Sequence, residues 1–273
     1  MNIRFIIVSF FLFFGFSASA QDSIVWKEKA KFTIDTTDIW TSDVLGNVYV
    51  TKKELIQKYD STGVLKFSQS QKAIGRLSSL DPINTMKLIF FSEEQQIFCF
   101  LDNTLTPYES CIDLSDYDIG NASLVTISSQ PNKFWVYDQL NSRLHLLSLA
   151  QSAQSQEVEN LRGVLNSIQI SSMLEQNNLL YLVDTTNGVF ILDMYGSLVN
   201  TYRKSGVKEI QADSQFLYLL TNDGMISIVD LATNVEKSIA CPLKNTIEFR
   251  KNGNYYFFRS KTEIKKYKLL FVE

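Results

Sequence analysis

One histidine, three cysteines and a series of regularly spaced aspartates are the residues whose chemistry reaches beyond packing. Asp60, Asp102, Asp193 and Asp230 each close an apolar segment. A ring of convergent carboxylates could hold calcium, or supply the paired acid and base of a glycosidase. Their equivalence favours another role. A residue that recurs in successive units does the same structural job each time, and an Asp that opens a turn does that job by accepting backbone N–H bonds. Asp116 and Asp118 stand outside the recurrence and are candidate site residues, with a solvated loop as the alternative. Asp138 and Asp184 follow four apolar residues, and Thr51, Ser92, Thr221 and Arg259 hold the same place in the other units. These six mark one end of the units, so their side chains can gather on one face. The candidate binding set is therefore Asp138, Asp184, Thr221, Arg259, Asp116 and Asp118, with turn formation as the competing role.

His145 lies between Leu144 and Leu146 in an apolar run. A general base needs a nucleophile and an orienting partner beside it, and no nucleophile-elbow motif supplies them. A structural or surface role follows, and no catalytic residue is assigned. Cys99, Cys111 and Cys241 form no CxxC pair or Cys/His cluster, so neither a metal nor a cofactor is predicted. A hairpin centred near Leu105 would set Cys99 opposite Cys111 at a separation that permits a disulfide, and this pair is the hypothesised bond.

These residues sit within a repeat. An apolar strand centred on an aromatic residue, a polar turn and a second apolar strand recur six times, as in Leu180-Tyr181-Leu182-Val183 followed by Val189-Phe190-Ile191-Leu192-Asp193. Steps of 41, 45, 46, 37 and 38 residues separate the anchors Tyr49, Phe90, Trp135, Tyr181, Tyr218 and Tyr256. Propeller blades repeat at about 40–50 residues. Strands apolar through several successive positions are covered on both faces, as in a radial sheet between two neighbours. The anchor aromatics are then inter-blade core and not a sugar-stacking platform. Asn222-Asp223-Gly224 and Thr186-Asn187-Gly188 supply the positive-φ residues of tight hairpins.

Inner strands are expected at Asp38 to Thr41, Ala122 to Ser128, Ile168 to Leu174, Val207 to Ala212 and Thr246 to Arg250. The second unit is the least regular, because Asp81-Pro82 interrupts Leu80 to Met86 and proline cannot donate to a ladder. Leu149 to Gln156 reads as a longer loop, and 155–168 as helix or strand. The sixth unit runs out of chain before an outer strand, while Ser23 to Ile34 belongs to no unit. The expected fold is all-β: a six-bladed propeller over 21–273, closed by an N-terminal strand in the last blade.

Arg4 precedes an apolar run from Phe5 to Phe16 that ends in Ser17-Ala18-Ser19-Ala20. This pattern predicts a secretory signal peptide over 1–20, cleaved after Ala20, with a buried strand or an uncleaved anchor as the alternatives. The Ala-Gln ending resembles signal peptides of Bacteroidota. Loss of Arg4 takes the formal charge from −3 to −4. No basic block suits nucleic acid, and no second long apolar run suits a membrane span. The expected product is a periplasmic or extracellular monomer.

The six units resemble propellers of the NHL, YWTD and TolB-like group and, more distantly, quinoprotein repeats. No Tyr-Trp-Thr-Asp motif, sialidase box or quinoprotein Trp/Gly pattern is present. A propeller presents loops on two faces around a central channel, and with no asymmetric catalytic cluster in the sequence the expected role is a binding or scaffold module for an envelope protein or glycan. Its alternative is a calcium-dependent, lactonase-like hydrolase.

Overall fold

The computed structural model describes residues 23–52, 55–70, 75–149, 156–167 and 169–272. The predicted signal peptide, Ile168 and most of the 149–156 segment lie outside them. Six four-stranded antiparallel sheets follow one another around a ring. One strand, β1 (Ser23–Thr33), precedes the first blade. Blade 1 holds β2 (Trp40–Ser42), β3 (Val48–Lys52), β4 (Leu55–Tyr59) and β5 (Leu65–Ser70). Blade 2 holds β6 (Ser79–Pro82), β7 (Lys87–Ser92), β8 (Ile97–Asp102) and β9 (Ile112–Asp113). Blade 3 holds β10 (Ala122–Ile127), β11 (Lys133–Asp138), β12 (Arg143–Ser148) and β13 (Gln156–Val158). Blade 4 follows a short helix, α1 (Leu161–Leu165), and holds β14 (Ile170–Gln176), β15 (Leu179–Asp184), β16 (Gly188–Leu192) and β17 (Leu198–Tyr202). Blade 5 holds β18 (Val207–Ala212), β19 (Phe216–Thr221), β20 (Met225–Asp230) and β21 (Glu236–Ala240). Blade 6 contributes β22 (Glu248–Asn252), β23 (Tyr255–Arg259) and β24 (Glu263–Val272), and β1 is its outer strand.

Closure is a long ladder. β1 runs antiparallel to β24 from Ser23 opposite Val272 to Thr33 opposite Glu263, with one irregularity between Glu28 and Ala30. Trp26 seals it by meeting Tyr256 and Phe258 edge-on, at 5.1 and 5.3 Å, and by donating Nε1–H to the carbonyl of Ala240 in blade 5 at 3.1 Å.

The second strand of each blade is buried on both faces because the neighbouring sheets cover it, and the third strands of blades 2, 3 and 4 are covered in the same way, whereas β4 alternates. Tyr49 and Phe90 share one core between blades 1 and 2, and Trp135 lies with Leu180 and Leu182 between blades 3 and 4. Outer strands carry the mixed residues, and β5 is exposed along its whole length. Tight turns follow the third strand. The carboxylates of Asp60, Asp102 and Asp193 each accept the N–H groups two and four residues on, at 2.8–3.0 Å. Asp230 accepts from Ala232 and Thr233. Three residues after Asp60 and Asp193 the chain turns through Gly63 and Gly196 at positive φ, whereas the equivalent residue in blade 2 is the buried Leu105 at φ 71.

Three local features refine the sequence reading. Pro82 ends the edge strand β6, where no further ladder bond is required of its nitrogen. Between blades 3 and 4 the described residues are helical over Leu161–Leu165, while Val158 is in a strand. Cys99 and Cys111 form a disulfide with Cα atoms 4.3 Å apart, in line with the register that sets Phe98 against Ile112.

Candidate functional site

The six inner strands line a central channel that encloses a cavity of about 650 Å³. A strand at the channel has only one hydrogen-bonded neighbour, so its side chains do the remaining joining. Glu175 on β14 accepts Nε1–H of Trp135 at 2.6 Å and N–H of Ser129 at 2.7 Å, both from blade 3. Glu209 on β18 accepts N–H of Phe249 at 2.7 Å and is ion-paired with Arg250, both from blade 6. Glu248 on β22 accepts Nε1–H of Trp40 in blade 1 at 2.5 Å and pairs with Arg259 at 2.7 Å. Asn252 donates to Oγ and to the carbonyl of Ser42, again from blade 6 to blade 1. The carboxylates of blades 4 to 6 thus bind strand to strand.

Charge is spread unevenly around the wall. Blades 5 and 6 supply Glu209, Glu248, Arg250, Lys251 and Arg259, whereas blades 3 and 4 contribute one charged residue, Glu175, beside Ser123, Thr126, Ser172 and Met173. Blade 2 adds the half-buried Asp81. Burial raises the pKa of Asp81, and the positive charge of Arg250 works against that rise. Burial lowers the pKa of Arg250, Asp81 opposes this, and Arg259 adds to it. Lys251 turns away to Asp213 at 2.9 Å, beside the hydroxyl of Tyr218.

The six equivalent residues at one end of the blades, Thr51, Ser92, Asp138, Asp184, Thr221 and Arg259, are all buried. Asp138 accepts N–H groups of Gly120, Asn121 and Asn141 and the Asn141 side-chain amide. Burial pushes its pKa up, but these donors outweigh burial and hold it below the usual carboxylate range. Asp184 does the same with Ser167, Thr186 and Asn187. Thr51 and Ser92 bond the backbone of Ile39 and Arg76, where the chain approaches the inner strands of their blades. Thr221 bonds Asp223 and the carbonyl of Met225 within its own hairpin. Arg259 donates from Nη2 to the carbonyls of Asp35 and Thr36 and is the only one of the six that also lines the channel. Asp116 and Asp118 lie on the 3-10 turn Leu114–Tyr117 and at its end, away from the channel wall.

His145 is buried in β12, with Nδ1 3.6 Å from Glu157 on the adjacent strand. Neither ring nitrogen has a hydrogen-bond partner among the described residues, and burial lowers its pKa. Among the described residues no group of three or more His, Cys, Asp or Glu side chains is arranged to hold a metal ion. No helix among them is long and apolar enough to cross a membrane. Asp81, Glu209, Glu248 and Arg250 were missed as site residues by sequence reasoning. Their signal was available: charged residues inside inner strands, which break the repeat.

No protein family matches the sequence, and no curated protein matches it. Solved structures do match in shape. Virginiamycin B lyase from Staphylococcus aureus aligns with a TM-score of 0.65 at 12% identity, over 91% of this chain and 100% of the lyase. A streptogramin B lyase aligns at 0.63 and 12%, over 90% and 98% of the two chains. The Pan2 WD40 domain of Neurospora crassa aligns at 0.62 and 9%, over 89% and 95%. At these identities the likeness is one of fold: the chain is a six-bladed β-propeller.

Proposed function

We propose that the chain is an exported, non-catalytic propeller that binds a protein or glycan of the cell envelope at its channel. The observation that carries this reading is how the channel's charges are used. Glu175, Glu209 and Glu248 are engaged in holding neighbouring blades together, so they are poorly placed to act as acid, base or nucleophile. The hydroxyl-bearing wall of blades 3 and 4 remains open for contacts. A catalytically inactive variant of virginiamycin B lyase, solved with quinupristin, carries alanine in place of a histidine. The single histidine of this chain, His145, is buried in blade 3, which supports a binding role over a lyase-like one. The competing calcium-dependent hydrolase would need a set of convergent oxygen ligands.

The test is retention of envelope glycans and proteins on the immobilised mature chain, beside a Ser172→Trp variant that fills the channel. Specific retention that the variant loses, at an unchanged melting temperature, is the expected result. Calcium-dependent stabilisation accompanied by chelator-sensitive lactone hydrolysis would replace this reading with the hydrolase.

A further inference from the structure

We propose that the channel takes a ligand bearing a primary ammonium group beside a hydrogen-bond acceptor, with Asp81 receiving the ammonium and Arg250 the acceptor. This deepens the binding reading above and rests on it.

Asp81 differs from the other channel carboxylates. Glu209 and Glu248 each have a cation and an N–H donor, and Glu175 has two N–H donors. Asp81 has neither a hydrogen-bond donor nor an ion-pair partner among the described residues, although the channel wall holds it partly away from water. A desolvated carboxylate with open acceptors is costly unless something donates to it. The group that answers a lone carboxylate most strongly is a cation that also donates hydrogen bonds.

A simple cation does not answer the whole site, because unpartnered donors line the same cavity. Arg250 uses Nη1 for Glu209 and the carbonyl of Phe249, while Nε and Nη2 have no partner among the described residues. Its guanidinium lies over the Trp40 ring, 5.5 Å from the centroid, which fixes the plane of that open edge. The Nε of Arg259, a side chain 3% exposed on the same cavity, is also without a partner. Asp81 and Arg250 influence each other's charge without forming an ion pair. A bare anion would be repelled by Asp81, and for a bare metal ion no group of three or more His, Cys, Asp or Glu side chains is gathered among the described residues. A ligand that carries both an ammonium and a hydroxyl or carbonyl oxygen answers both groups on this cavity.

The opposite wall suits a polar body. Oγ of Ser123 is buried without a partner, and Thr126 and Ser172 add hydroxyls. The cavity of about 650 Å³ falls within the range of small-molecule sites. The shared chemistry, an amine next to an oxygen, has two sources: an amino sugar, or the free N-terminus of a peptide.

Titration calorimetry on the mature chain separates them. The probes are the disaccharide of glucosamine and its N-acetylated form, and trialanine and its N-acetylated form. One free-amine probe is expected to bind, and acetylation should weaken it by about tenfold or more, the loss expected when a charge-assisted bond is removed. Asp81→Asn should weaken the same probe to a similar degree, and Asp81→Ser repeats the test should the first variant melt early. Whichever probe binds names the source. Equal binding of free and acetylated forms, no binding of either amine at millimolar concentration, or unchanged affinity in a folded Asp81 variant would each overturn the proposal. An envelope glycan or protein that the wild-type chain retains and that Asp81→Asn still retains would leave the binding reading standing and overturn this one.

Discussion

The ammonium of Lys58, on β4 of blade 1, donates to the carbonyl oxygen of Asn103 in the turn of blade 2 at 3.0 Å. Lys266 on β24 repeats the bond one seam earlier, reaching the carbonyl of Ser61 in blade 1 at 3.3 Å. Ser61 and Asn103 each follow the aspartate that opens their turn. Aromatic rings flank both ammonium groups: Tyr49 and Phe67 beside Lys58, Tyr255 and Phe257 beside Lys266. Burial lowers the pKa of both lysines, and the carboxylate of Asp43 opposes that in each case. Two buried lysines thus latch blade 1 to its neighbours on either side.

Lys58→Ala leaves the Asn103 carbonyl without its donor and removes the buried stem, and is expected to lower stability by about 2–3 kcal/mol. Lys58→Met, which restores the stem but not the bond, should recover some of the loss. Urea denaturation measures both. Equal stability of all three proteins would reduce the latch to a passive contact.

His145 sets a pH dependence whose sign follows from its burial. Its pKa in the fold lies below the ordinary 6.5 because burial disfavours the imidazolium, with Glu157 pulling the other way. As pH falls through 6.5 the unfolded chain takes up a proton that the fold resists. The contribution of His145 is therefore fully present above that value and declines as pH drops toward the lower folded pKa. Melting temperature should fall more steeply between about pH 7 and about pH 5 in the wild type than in His145→Leu. Parallel curves would mean that Glu157 accommodates the charged ring.

Deleting residues 21–36 strips β1 from β24 and removes Trp26 from its aromatic neighbours. The exposed edge of the last blade should lower the melting temperature by roughly 10 °C or more and promote association. Calorimetry with size-exclusion chromatography reads both effects. Trp26→Ala alone should give a smaller loss, of about 2–3 kcal/mol.

The disulfide staples the short β9 to β8 across a 12-residue separation. Changing Cys99 and Cys111 together to serine is expected to destabilise the chain by about 2–3 kcal/mol, the scale for a loop of this length. Non-reducing peptide mapping of protein purified under oxidising conditions should recover the two as one linked species, with Cys241 as a free thiol. Recovery of three free thiols would contradict this.

What the sequence made legible is what repeats. The 12-residue step from Tyr181 to Asp193 and from Tyr218 to Asp230 encodes a hairpin and its turn, and local chemistry decides both. Ring closure was readable because a spare N-terminal strand matched a missing outer one. Contacts between blades were not readable. Lys58 and Lys266 look like ordinary solvated lysines until closure sets a neighbour's turn above each of them. Thr51, Ser92, Asp138 and Asp184 were recognisable as equivalent, yet only the packed structure shows that their polar groups turn inward to the backbone. Asp81 was read only as belonging to an irregular strand beside Pro82. Its place on the same channel wall as Arg250, more than half the chain away, exists only once the ring is closed.

The pairing of Ser23 with Val272 also sets how the ring responds to force. In an antiparallel ladder the first residue of one strand faces the last of the other, so a pull between these two residues falls on the outermost rung. The rungs then break in succession, as a zipper opens, and never share the load as they would in shear. A tether at both ends would open blade 6 at low tension and leave the other five blades folded, so the seam that completes the ring is also its mechanical fuse.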